Sequence, residues 1–185
     1  MAPIHRREEK RCSTANAVTG KTPAICAVAL HQMVLDKMPG KLETDQVVVA
    51  PQQRRVTLEA ATKLTAHFSL PIAPDHVDWD ILCTFGGRTE EFLTHYETCA
   101  SLTEDDKFAL MTMIISSFDD WLGKGGDPKP LAERLRKLLL ANFATHESTV
   151  YDWCFWHLPP EIRTHPDYIF PVTPFVREIW GEVKP

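Results

Sequence analysis

No aromatic residue occurs in the first 67 positions of this chain; all seventeen lie between Phe68 and Trp180. Aromatic side chains bury the largest areas, so a stretch without them has little with which to offset the entropy of ordering. Also missing is any Cys-x-x-Cys pair. The five cysteines, Cys12, Cys26, Cys83, Cys99 and Cys154, are odd in number and widely spaced. That pattern argues against a disulfide framework or a zinc knuckle and for reduced thiols in a cytosolic protein. No apolar run is long enough to cross a bilayer. Residues 24–35 alone resemble a signal-peptide hydrophobic region, but His31 and Gln32 interrupt them and a long polar stretch precedes them, so secretion is not expected. The chain has no repeat of fixed period and no low-complexity tract.

What the chain does contain is a core. With 185 residues and 44% apolar content, a single packed domain with an appendage is expected. The net charge of -5 is divided unevenly: residues 1–55 hold nine Lys/Arg against five Asp/Glu, and residues 56–185 hold eleven against twenty. A basic arm thus precedes an acidic body. Nucleic-acid affinity rests on neutralising phosphates, so no nucleic acid is expected on the body.

Helical signals fill the body. Thr57 can cap a helix with Leu58, Ala61, Leu64 and Phe68 inward. Asp75 can cap a second, with Val77, Ile81 and Phe85 at helical spacing and Gly86-Gly87 as its stop. Thr89, with Glu90 and Glu91 after it, opens a third with Phe92, Tyr96 and Cys99 inward. The strongest pattern covers 102–122: Thr103 caps, acids fill the first turn, and Phe108, Met111, Ile115, Phe118 and Leu122 recur every three or four residues. Thr112, Ser116, Asp119 and Asp120 then fall on the opposite, polar face. Pro130 starts a Leu-rich helix with Arg134, Arg136 and Lys137 toward water. Ser148 or Thr149 can cap 150–157, where Tyr151, Trp153, Phe155 and Trp156 predict burial on several sides and hence a central helix. Thr173-Pro174 opens the last. The expected fold is all-α, a compact bundle or irregular array of about five to seven helices over 56–185, after a mostly disordered arm with a short helix at 23–38. Gln52-Gln53-Arg54-Arg55 is the expected hinge.

Patterns for chemistry fail one after another. Residues 15–22, Ala-Asn-Ala-Val-Thr-Gly-Lys-Thr, fit a relaxed phosphate loop, but such a loop needs a buried strand before it, and Arg6-Arg7-Glu8-Glu9-Lys10-Arg11 stand there instead. Glu91 and His95, at i and i+4, are the best metal-ligand candidates, with Asp119, Asp120, Asp152, His146 and His157 as further contributors. No second helix repeats the spacing. Asp75, Asp78 and Asp80 lack the glycine and the final glutamate of a calcium loop. Cys154 and His157 can be written as thiol and base, but the expected reading is a buried structural thiol beside a hydrogen-bonded imidazole. His165-Pro166-Asp167 resembles the tripeptide of chaperone J-domains. The lysine-rich helix that should precede it is absent, and the tripeptide is expected to form a proline turn.

The expected function is therefore a soluble, cytoplasmic protein-binding domain of accessory, inhibitor or immunity type, with no cofactor and no membrane contact, and a basic protein as its partner. Trp79, Trp121 and Trp180, near helix ends, together with Asp119 and Asp120, are the expected contact residues. The alternative is a metal-dependent hydrolase, which requires at least three of the acidic and histidine side chains to converge on one divalent ion.

Overall fold

The computed structural model of the protein describes residues 48–184, and among them there is no β-strand. Eight α-helices follow one another: α1 (Leu58–Phe68), α2 (Trp79–Leu82), α3 (Thr89–Thr98), α4 (Glu104–Gly123), α5 (Lys129–Ala141), α6 (Phe143–Cys154), α7 (Pro160–Arg163) and α8 (Thr173–Val183). Two are single turns, and short 3-10 turns form at Gly86–Arg88 and Pro166–Tyr168. The all-α class is as expected. The helix expected at 23–38 and the phosphate-loop pattern at 15–22 lie outside the described residues.

The hub of the array is α4, which packs against α1, α2, the Gly86–Arg88 turn, α3 and α6, while α8 closes over α5 and α6. Its start follows from local chemistry. The Thr103 hydroxyl accepts the Asp106 N–H (3.1 Å) and the Asp106 carboxylate accepts the Thr103 N–H (3.0 Å), a reciprocal capping box. Asp106 also receives Lys63 Nζ from α1 at 2.9 Å. Burial alone would push the Asp106 carboxyl up, but these donors outweigh it and hold it below the usual range. Beyond the cap, Ala109, Leu110, Met111, Met113, Ile114 and Ile115 are all wholly inaccessible. A helix whose successive residues are buried is surrounded on every side.

That corrects two expectations. The expected polar face of α4 is partly covered: Ser116 is buried, Thr112, Asp119 and Asp120 are half-buried, and the adjacent, buried Ser117 Oγ accepts the Phe85 N–H at 3.0 Å. The segment 150–157 is not the centre, because α6 begins earlier, at Phe143, and ends at Cys154. Ser148 and Thr149, the expected caps, are buried within it. Phe155 then turns the chain in the left-handed region (φ 58°), which is costly for a bulky side chain, and its ring stacks on Phe170 at 5.5 Å. The four aromatics of 151–156 are therefore split between a helix and the turn after it.

Contacts over long sequence distances also displace other local signals. Leu58 is exposed, while Ala60 takes an inward position on α1. The expected hinge at 52–55 lies against the body, with Arg54 paired to Asp105 (2.6 Å) and placed over the Phe108 ring (4.9 Å). Arg134 and Arg136 serve as braces. Arg134 joins α5 to α3 through Glu97 (2.6 Å), and Arg136 joins it to α8 through Glu182. Thr173 does not cap α8; its hydroxyl is buried with no hydrogen-bond partner, and the carboxylate of Asp119 accepts the Val172 N–H instead (2.9 Å).

Candidate functional site: carboxylates around the α2 turn

The second expected helix, over 75–85, shrinks to the single turn of α2. Two tertiary bonds account for this: the Phe85 N–H is taken by Ser117 and the Gly86 N–H by the Asp120 carboxylate (3.0 Å), both on α4. Those donors leave the helical ladder, so the segment is held as turns. His76 N–H donates to the Ala73 carbonyl and Asp78 N–H to His76 Nδ1, each at 3.1 Å. Trp79 anchors the segment. It is buried, and its Nε1–H donates to Thr65 Oγ1 of α1 at 2.8 Å.

With Trp79 turned inward, its neighbours face out. Val77 is 88% exposed and Leu82 46%. Between them lie Asp78 and Asp80, with Asp75 before. Asp80 accepts the Ile81 N–H at 3.1 Å. Burial pushes its carboxyl above the usual range despite that bond, and the charge of Asp78 adds to the shift. Asp152, from the last turns of α6, behaves alike. Crowding around its carboxylate raises it although the residue keeps an open edge, Gln53 Nε2–H donates to it at 3.3 Å, and the charge of Asp80 raises it further. Gln53 is also one wall of an open polar cleft formed with Thr145, Glu147 and Ser148 of α6.

Among the described residues, no Lys or Arg forms an ion pair with Asp75, Asp78, Asp80 or Asp152. Acids elsewhere are mostly matched: Glu91 by Arg88, Glu104 by Lys107, Glu147 by Lys184. The sequence carried a signal for this. No Lys or Arg occurs from 64 to 87 or from 138 to 162, and the fold brings these two stretches together at Asp80 and Asp152.

Each of the expected contact residues has a partner within the fold. Trp180 is buried, with Tyr151 at 5.6 Å and Phe143 at 5.8 Å between ring centroids. Trp121 is half-buried, its Nε1–H donating to the Asp127 carbonyl at 3.4 Å. Asp119 holds the start of α8, and burial pushes its carboxyl up to about 6. Asp120 binds Gly86 and Lys124 (2.6 Å).

Glu91 and His95 each have a different neighbour. Arg88 takes the Glu91 carboxylate in a two-point contact (2.7 and 2.9 Å), and the His95 ring lies 4.0 Å from that of His67. No three His, Cys, Asp or Glu side chains among the described residues are gathered as metal ligands would be. Cys83 and Cys154 are inaccessible, and burial pushes both thiols up to about 12, far from a reactive thiolate. His165 and Asp167 form a proline turn, the Asp167 N–H donating to His165 Nδ1 at 3.3 Å. No helix among the described residues is long and apolar enough to cross a membrane.

The chain matches no protein-family model, and comparison with curated proteins and with solved structures gives no match. Its own residues must carry the functional argument.

Proposed function

We propose that this helical domain is a soluble, intracellular protein-binding module that captures a basic partner on the face formed by 75–82 and Asp152. One observation carries the reading: Asp75, Asp78 and Asp80 flank exposed Val77 and Leu82, Asp80 acts on the carboxyl of Asp152, and none of the four acids is paired with a Lys or Arg among the described residues. Exposed like charges repel one another and keep a surface hydrated. Carboxylates raised by burial and by a neighbouring acid, as Asp80 is by Asp78 and Asp152 by Asp80, gain more than ordinary surface acids when a Lys or Arg arrives, because their charged forms are the ones a cation stabilises. The apolar pair then supplies area to bury. The excess of nine acids over bases in 56–185 adds long-range steering of a cation toward the domain.

Peptide selection with the full-length chain tests this. Peptides enriched from a random library should carry Lys or Arg next to an apolar residue, and the Asp80→Asn/Asp152→Asn double variant should bind them roughly tenfold or more weakly, a loss of about 1.4 kcal/mol. Glu133→Gln/Glu161→Gln removes the same net charge at two other exposed acids and should leave binding within about twofold. Enrichment of peptides without basic residues, or equal losses in both double variants, would overturn the proposal.

A further inference from the structure

His146, in the first half of α6, is wholly inaccessible, and it joins α6 to α3 through one contact, its Nε2 lying 2.7 Å from Tyr96 Oη. Its other nitrogen, Nδ1, is buried with no hydrogen-bond partner. A neutral imidazole has one donor and one acceptor, and here one of the two is already unmatched. A protonated ring has two donors and still one partner.

The surroundings offer the added charge nothing. Arg54, before α1, and Lys107, on α4, repel it. Glu104, also on α4, attracts it, but that carboxylate is occupied by Thr145 Oγ1 (2.7 Å) and Lys107 Nζ (3.3 Å). Tyr96 on α3 stays a neutral phenol, since burial pushes it up to about 12. Neither α5 nor α8, the other helices packed on α6, contributes a charge that acts on the ring. We propose that His146 is an acid-operated latch: the buried ring resists protonation in place, and acidification releases the first half of α6 from α3 and α4.

The sign follows from the direction of the shift. Burial lowers His146 from 6.5 to about 4, so the fold prefers the neutral ring. The stabilisation is complete above about pH 6.5 and is lost as pH falls toward 4, because the unfolded chain takes up the proton first. Asp119 acts oppositely. Held up to about 6 from 3.8, it relieves a penalty as pH falls over much of the same range. Bulk stability of the native chain therefore mixes the two, and the latch must be read at residue level.

The test is amide exchange of the full-length chain at pH 7 and pH 4.5, corrected for intrinsic rates, with NMR titration of the His146 ring. Protection in 143–150 and around Tyr96 should fall at least tenfold more than in the middle of α4, and the extra loss should vanish in His146→Gln. The native ring should show no titration near 6.5. An imidazole that titrates near 6.5 with protection intact would overturn the latch, as would an equal loss of protection in the variant. If His146→Gln does not fold, ring titration and exchange in the native chain still decide the matter.

Discussion

Gly86→Ala is expected to destabilise the domain by about 3 kcal/mol, the upper part of the range for overpacking a filled site, while Gly87→Ala should change stability by less than about 0.5 kcal/mol. The two glycines are adjacent, and only their surroundings differ. A Cβ on Gly86 would stand 2.5 Å from Asp120 Oδ2, 2.8 Å from the Trp121 backbone nitrogen and 3.1 Å from the Asp120 carbonyl carbon. A carboxylate can swing aside, but the backbone of α4 cannot yield without disturbing the hub of the fold. Moving the carboxylate would also break its bond to the Gly86 N–H and loosen its contact with Lys124. A Cβ on Gly87 meets nothing within 4 Å. Urea unfolding followed by tryptophan fluorescence measures both; equal midpoints for the two variants would contradict the close approach of Gly86 to α4.

Phe118→Ala should cost more, about 3–5 kcal/mol, the range for truncating a buried aromatic. Phe118 is 1% exposed and lies toward the end of α4, its ring 5.6 Å from that of Phe175 in an edge-on arrangement. It thus joins the hub to α8, two elements with few other links. Such a loss is a large share of the roughly 5–15 kcal/mol that holds a domain of this size together. Leu82→Ala, at a 46% exposed position, should cost less than about 1 kcal/mol. A shift in urea midpoint at unchanged slope separates lost stability from a changed denatured state. If Phe118→Ala behaved like Leu82→Ala, α4 would not be the centre of the fold.

The helices that the sequence announced correctly are those whose signals act within one turn. Thr57 caps α1 through the Ala60 N–H (3.3 Å), the Thr103 box starts α4, and Pro130 lies in the first turn of α5. Where the sequence misled, a distant residue had taken over a local role. Asp119, 53 positions from Val172, takes the N–H that precedes α8 while Thr173 caps nothing, and Ser117 and Asp120 draw Phe85 and Gly86 out of the helix expected from Asp75 and Val77. Tryptophans near helix ends looked available for binding, but Trp79 and Trp180 fill the core. Period and capping cannot report such pairings, because they say which face of a helix is apolar and not what will cover it.

The proposed acidic face was legible only in part. Its ingredients are visible as two long stretches without Lys or Arg, yet nothing local indicates that Asp80 would come close enough to raise the affinity of Asp152 for protons. Negative charge on the whole body was plain from composition. Composition does not show that most of these acids are already matched by Arg and Lys within the fold, nor that three of those left over, Asp75, Asp78 and Asp80, cluster around the α2 turn.

The most direct measurement of the proposed function is amide chemical-shift mapping of the labelled full-length chain against a synthetic amphipathic Lys/Leu peptide, at low and at physiological ionic strength. Binding to the acidic face predicts shifts concentrated in 75–83 and 151–153, weakened as salt shortens the screening length to about 8 Å. Shifts spread over the matched acids Glu97, Glu147 and Glu182, or none at either salt concentration, would contradict it.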